Sequence, residues 1–187
     1  MNIIGVVGSP RKGGNTDVLI KHILQGASDR GAATHLIHLN DMTFKGCQDC
    51  GFCKINGYCK QQDDMTPVYK DIEEADAIII GSPIYMWNIS GQTKLFIDRW
   101  YAFVNSDMSI RLKDSKKAIL VFTQGSSDPE AFRYVFSWFE KLLQMSRFEV
   151  LDTIIAPGVR NVGEIARMQE LMNKAYSLGN QLASTSQ

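Results

Sequence analysis

The chain has no net charge to offer a partner: 20 Lys plus Arg balance 20 Asp plus Glu. No overall field therefore draws it to nucleic acid or to an anionic membrane. Long apolar runs are missing as well, and none approaches the roughly 18 residues that crossing a bilayer requires. The opening run, Met1 to Gly8, lacks a basic flank and is too short for a secretory signal. These absences predict a soluble, cytoplasmic protein without nucleic-acid or membrane partners. Cysteine is absent outside residues 47–59, which argues against a disulfide framework stapling distant loops. Histidine is confined to His22, His35 and His38, none near the motifs described below, and all three read as solvated. Internal repeats, low-complexity stretches and linkers are also lacking.

What is present is apolar content and alternation. With 44% of its 187 residues hydrophobic, the chain can build one sizeable core, so residues 1–187 are read as a single domain. Strand signals fall at Asn2–Val7, Ala33–Leu39, Ala75–Gly81, Lys117–Thr123 and Glu149–Ala156. Helical periodicity separates them, at Thr16–Ala27, Ser90–Val104, Pro129–Met145 and Gly163–Leu182. A shorter helix is expected over Val68–Ile72, with Asp63 and Asp64 as capping candidates, and Ser184–Gln187 reads as a frayed tail. The pattern predicts an α/β fold: a doubly wound, five-stranded parallel sheet in the order 2-1-3-4-5.

Ligands of such sheets bind beyond the carboxyl ends of the strands. The first strand ends in Gly8-Ser9-Pro10-Arg11-Lys12-Gly13-Gly14-Asn15-Thr16 and runs straight into a helix. A helix N-terminus offers free N–H groups to a phosphate, Gly13 and Gly14 allow close backbone approach, and Ser9, Asn15 and Thr16 can donate hydrogen bonds. Arg11 can pair with the dianion. The loop is neither G-x-G-x-x-G nor G-x-x-x-x-G-K-[ST], which argues against the usual dinucleotide fold and against a P-loop NTPase. A second motif, Gly81-Ser82-Pro83-Ile84-Tyr85-Met86-Trp87-Asn88-Ile89-Ser90-Gly91-Gln92, follows the third strand, with Ser90 placed to cap the next helix. Thr123-Gln124-Gly125-Ser126-Ser127 follows the fourth and reaches the same edge.

All four cysteines sit in a long loop, Thr43–Gln62, spaced Cys47-x2-Cys50-x2-Cys53-x5-Cys59. A loop of that length in a compact domain is usually functional. Tetrathiolate ligation suits zinc or an iron–sulfur cluster, and the C-x2-C-x2-C run is closer to cubane-cluster binding than to paired zinc knuckles. Thiols or a disulfide without metal remain the third reading.

Taken together, the Gly8–Thr16 and Gly81–Gln92 motifs, with Lys94–Arg99 after the second, resemble those of the NADPH-dependent FMN reductase group among the flavodoxin-like flavoproteins. The cysteine loop between strands two and three is similar to that of the iron–sulfur flavoproteins. The resemblance implies FMN, with its phosphate on Ser9, Arg11, Gly13, Asn15 and Thr16. It implies an isoalloxazine bordered by Pro83, Ile84, Tyr85, Met86, Trp87 and Asn88, with Gly125 flanking. It implies a 4Fe–4S cluster on Cys47, Cys50, Cys53 and Cys59, exchanging electrons with FMN. A ferredoxin-like donor or NAD(P)H and a small acceptor such as a quinone or oxygen follow from it. So does a homodimer or homotetramer in which one subunit's cluster faces another's flavin. The alternative is an NAD(P)H-dependent reductase of FMN, quinones or azo compounds without a cluster; a non-enzymatic zinc-binding or interaction module is a third. No catalytic acid or base is expected, because the chemistry belongs to the flavin. Tyr134 and Trp138 share a helix face and predict a self-association surface, and Asp98 and Arg99 are expected to form a structural pair.

Overall fold

Apolar runs short enough for strands pair side by side when helices cover both faces of the sheet. In the computed structural model, which describes residues 1–112 and 115–184, the strands do this in the expected order. Strands β1 (Asn2–Val7), β2 (Ala33–His38), β3 (Ala77–Tyr85), β5 (Lys116–Thr123) and β6 (Phe148–Ala156) run parallel in the order β2-β1-β3-β5-β6. This is the flavodoxin-like arrangement; the numbering shifts only because a two-residue strand, β4 (Asn88–Ile89), turns back antiparallel on β3.

Alternation along each strand divides the core in two. Ile3, Val7, Ile79, Ile119 and Val121 face helices α1 (Asn15–Ser28) and α6 (Gln169–Ser184). Ile4, Val6, Ile78, Ile80, Leu120 and Phe122 face the opposite layer, built from α3 (Met65–Glu74), α4 (Gly91–Arg99) and α5 (Arg133–Met145). Helices α1 and α6 approach so closely that a methyl group on Gly26 would meet the Tyr176 carbonyl oxygen, and one on Gly179 the Ile23 carbonyl oxygen. Gly179→Ala is therefore expected to lower stability by about 1–3 kcal/mol, read as a lower urea midpoint; an unchanged midpoint would show that the helices can part without cost.

Several element boundaries differ from the sequence reading, each for a local reason. Strand β3 continues past Gly81, because Ser82 and Pro83 still pair with Phe122 and Thr123 of β5. The helix expected from Ser90 to Val104 stops at Arg99, continues as a 3₁₀ turn over Trp100–Phe103, and ends where Val104 bridges to Ile110. Helix α5 starts at Arg133 rather than Pro129, because Asp128 folds the preceding residues into a turn, accepting from Glu130 N and Ala131 N. The last helix is split: Glu164–Arg167 is a 3₁₀ turn, and Met168 (ψ 68°) breaks away before α6. The cysteine loop contains a short helix, α2 (Phe52–Asn56). Asp64 occupies the N-cap of α3 without capping it, since its carboxylate accepts from Thr43 N at 2.6 Å. Asp63 accepts from Met65 N instead, at 3.1 Å. Of the expected tail, Ser184 ends α6, and residues 185–187 lie outside the described residues. Among the described residues no helix is long and apolar enough to cross a membrane.

Candidate functional site

Beyond the carboxyl ends of the strands, four connecting segments enclose a cavity of about 310 Å³. The segment after β1 contributes Ser9, Arg11, Gly14, Asn15 and Thr16; Pro83, Ile84 and Tyr85 come from the end of β3. Thr123, Gln124 and Gly125 follow β5, and Val159, Arg160 and Val162 follow β6.

The first segment is tied down from several sides. Gly8 N donates to Gly81 O at 2.8 Å, and Ser90 Oγ donates to Gly8 O at 2.6 Å. Arg11 N donates to Ser9 Oγ at 3.2 Å, and Gly14 N to Arg11 O at 3.0 Å. Asn15 bridges to the β6 segment, donating to Asn161 O (2.9 Å) and accepting from Ile165 N (3.2 Å). The Thr16 and Thr123 hydroxyls lie 2.8 Å apart. Helix α1 begins after Gly14 with no side-chain cap. Its first intrahelical bond is Val18 N to Gly14 O. The N–H groups of Asn15, Thr16 and Asp17 therefore precede the hydrogen-bonded helix, the arrangement that receives an anion. Arg11 and Arg160 bring positive charge to the cavity; Arg11 Nη1 donates to Arg160 O (2.8 Å) and Arg160 Nε to Gly125 O (3.1 Å).

The β6 segment was not singled out from the sequence, although the parallel topology alone would direct attention to the end of that strand. Glu164 organises it by accepting from Arg160 N (2.6 Å), Asn161 N (2.9 Å) and Asn161 Nδ2 (2.8 Å). The bonds from Asn161, then that from Arg160, hold the Glu164 carboxyl down at about 2, against an ordinary value of 4.5. A depressed carboxyl stabilises the fold above its unfolded value and ceases to do so as pH falls through the folded one. The urea midpoint is expected to fall between pH 4.5 and 2 by more in the native chain than in Glu164→Gln. Equal falls would remove this role.

The segment expected to be an open loop after β3 is instead a hairpin: Ile84 pairs with Ile89 and Tyr85 with Asn88. Its two turn residues, Met86 (φ 46°) and Trp87 (φ 64°), both adopt the left-handed region. That is the backbone of a type I′ turn, which favours Asn-Gly and strains larger residues. Met86 is 83% exposed and Trp87 66%. Tyr134 Oη donates to Trp87 O and so pins the hairpin to α5. Of the residues singled out from the sequence, Ser9, Arg11, Asn15, Thr16, Pro83, Ile84, Tyr85 and Gly125 line the cavity. Gly13, Met86, Trp87 and Asn88 stand outside its wall. Ser90 caps α4 as expected, accepting from Thr93 N at 3.2 Å.

The cysteines form a second place of interest. Cys47, Cys50, Cys53 and Cys59 line one small hollow with Arg99, Tyr101 and Ala102. It shares no lining residue with the four-segment cavity. Among the described residues, no three His, Cys, Asp or Glu side chains are gathered as they would be around a single ion. All four cysteines are free; Cys47 and Cys50 are exposed, Cys59 is half-buried and Cys53 is buried.

Cations hold this loop in place. Lys54 Nζ sits 3.3 Å from the Tyr101 ring centroid and donates to Val104 O at 2.7 Å. Arg111 Nη2 donates to Cys53 O at 2.7 Å. Arg99, 1% exposed, lies deepest. Its guanidinium makes a two-pronged pair with Asp63 (2.6 and 3.1 Å), donates to Lys45 O (2.8 Å) and Tyr69 Oη (3.0 Å), and reaches Cys59 Sγ at 3.5 Å. Burial works against the charged guanidinium, but Asp63 and Tyr69 more than offset it, so its pKa is raised. Burial, with the bond to Cys59, pushes the Tyr69 phenol up as well.

Two sequence expectations about these residues are corrected. Asp98 and Arg99 are not a pair: Asp98 binds Lys94 at 2.5 Å, while Arg99 points into the cysteine loop. Neighbouring helical residues do not face one another. His38 is not solvated either; it is largely buried, with Nε2 3.7 Å from Asp17 Oδ1. Tyr134 and Trp138 are exposed, as a contact face requires, and Trp138 borders an apolar groove of about 600 Å³ with Trp100, Met108, Leu142 and Met145.

The family model for NADPH-dependent FMN reductases matches residues 1–158. An iron–sulfur flavoprotein of Archaeoglobus fulgidus is 30% identical over 183 residues, which span 98% of this chain and 79% of that one. An iron–sulfur flavoprotein of Methanocaldococcus jannaschii is 40% identical over 99 residues, 53% of this chain and about half (51%) of the length of that relative. The fold is shared with the solved NAD(P)H:quinone oxidoreductase of Methanothermobacter marburgensis, at a TM-score of 0.75 and 15% identity over 100% of this chain and 99% of that one.

Proposed function

The chain belongs to the NADPH-dependent FMN reductase family, and on that premise we propose that it is an FMN-dependent oxidoreductase that moves electrons between a cysteine-ligated 4Fe–4S cluster and a small acceptor. The observation that carries this reading is the presence, in one chain, of an uncapped helix end opening on a four-segment cavity and a separate hollow lined by four thiols. Bound FMN and cluster supply the two-electron and one-electron chemistry respectively.

The chain's own residues bind and orient. Ser9, Arg11, Asn15 and Thr16, with the first N–H groups of α1 and the Gly13 turn behind them, hold the phosphate. Pro83, Ile84, Tyr85 and Gly125 border the isoalloxazine, with Met86, Trp87 and Asn88 forming the hairpin over its edge. Arg160 adds charge on the β6 side. Cys47, Cys50, Cys53 and Cys59 ligate the cluster, and Arg99 offsets thiolate charge from beneath. Among the described residues no histidine lines the cavity, and no side-chain acid or base is assigned a catalytic role. A cytoplasmic setting suits free thiols kept as metal ligands. The donor is ferredoxin-like or NAD(P)H, and the acceptor a quinone or oxygen. The exposed face of α5 around Tyr134 and Trp138 supports a homodimer or homotetramer that brings one subunit's cysteine loop to another's flavin.

The hairpin offers a check on stability and binding at once. Met86→Asn with Trp87→Gly relieves two left-handed residues, so stability should rise by about 1 kcal/mol while FMN retention falls. A rise in both would show that the two side chains do not touch the flavin.

The family name also supports a second reading, an NAD(P)H-dependent reductase of FMN or quinones without a cluster. Stopped-flow reduction of the flavin-loaded protein separates the two. If the cluster is the entry point, a one-electron donor reduces the native protein faster than the variant with all four cysteines changed to alanine. Reduction by NADPH at equal rates in both proteins, with no advantage for the one-electron donor, would favour the second reading.

A further inference from the structure

We propose that Asp17 is a positioning residue for the phosphate loop, an inference that rests on reading the four-segment cavity as the FMN phosphate site. Asp17 lies in the first turn of α1 and is fully buried. Its Oδ2 accepts from Gly13 N at 2.6 Å and from Lys21 Nζ at 3.0 Å. Gly13 is in the left-handed region (φ 69°), and a methyl group built on it would meet nothing within 4 Å. No neighbour crowds the place a side chain would take, and the bond from the Gly13 N–H to the carboxylate ties the turn to α1. That bond closes the turn that delivers Gly14 and the free N–H groups of α1 to the cavity.

The placement is costly. Among the described residues the other oxygen, Oδ1, is buried without a hydrogen-bond partner, and His38 Nε2 lies 3.7 Å from it. His38 Nδ1 is buried and unpartnered too. A carboxylate one turn from a phosphate site also repels the incoming dianion. Charge and geometry thus predict opposite signs. If charge dominated, removing the carboxylate would tighten FMN binding; if positioning dominates, removal weakens it. The short, charge-assisted bond to Gly13 favours positioning.

The test is titration of the apoprotein with FMN and with riboflavin, which lacks the phosphate, read by flavin fluorescence quenching. Asp17→Ala is expected to weaken FMN binding about ten- to a hundredfold, the worth of one charge-assisted hydrogen bond, and to leave riboflavin affinity unchanged. Asp17→Asn keeps an oxygen for Gly13 N and should recover most of the loss. Gly13→Ala disturbs the same turn without a clash, so it carries the test should Asp17→Ala not fold. It should weaken FMN but not riboflavin, and the double variant should lose no more than Asp17→Ala alone. Tighter FMN binding by Asp17→Ala, or equal losses for FMN and riboflavin in the variants, would overturn the proposal. Native apoprotein that binds FMN no better than riboflavin would overturn the phosphate reading of the cavity itself, and the proposal with it.

Discussion

Arg99→Ala is expected to lower the stability of the metal-free protein by about 3–5 kcal/mol, the usual cost of removing one partner of a buried ion pair. Arg99 is almost completely buried, and its removal takes the guanidinium donor from the Lys45 carbonyl, the Tyr69 hydroxyl and the Asp63 carboxylate, which keeps only the bond from Met65 N. Those groups come from the cysteine loop, from Asp63 just after it and from α3, so the damage should concentrate there. Urea unfolding measures the loss. Hydrogen exchange should show residues 43–63 opening ahead of the sheet. Arg99→Lys keeps the charge but not the planar fork, so it should recover only part of the stability. A loss below about 1 kcal/mol would mean that the loop stands without the arginine and that the pair behaves like an exposed one.

The second large effect concerns the cysteines. Cys53→Ala is expected to abolish iron incorporation while leaving FMN binding intact. Cys53 is the buried member of the four and lies in α2, where it shapes the floor of the hollow. The cavity assigned to FMN shares none of its lining residues. The two places are nonetheless joined by α4. Ser90 at its start bonds Gly8 in the segment after β1, and Arg99 at its end holds the cysteine loop. A variant that lost flavin together with iron would show that α4 couples the sites. One that kept its iron would remove Cys53 from the ligand set. Zinc in place of iron in the native protein would be seen in the same metal analysis.

The sheet was legible because its signals are local. Ile3–Val7 is a buried run of aliphatic residues and one glycine, and β1 covers it with Asn2 in front. The segment after β1 stood out for the same reason: its glycines, Asn15 and Thr16 are adjacent in sequence, and Gly14, Asn15 and Thr16 line the cavity together. The hairpin was not, because Met86 and Trp87 carry none of the Asn-Gly chemistry that announces a type I′ turn. The role of Arg99 was hidden by distance, since Asp63 lies 36 residues away. Its neighbour Asp98 offered a plausible but geometrically wrong partner. The β6 segment around Arg160 lacks any motif of its own and acquires a place only when the parallel order brings its strand end to the cavity. The cysteines were grouped by spacing alone, and the structure brings all four to one hollow. Spacing does not say what they hold, because the same thiols suit several occupants.

The measurement that tests the central claim most directly is a count of iron and acid-labile sulfide per FMN in anaerobically purified protein, with its absorption spectrum. The account predicts about four of each per flavin and a broad shoulder beneath the flavin bands. A clean flavin spectrum without iron would contradict it and leave a plain FMN reductase.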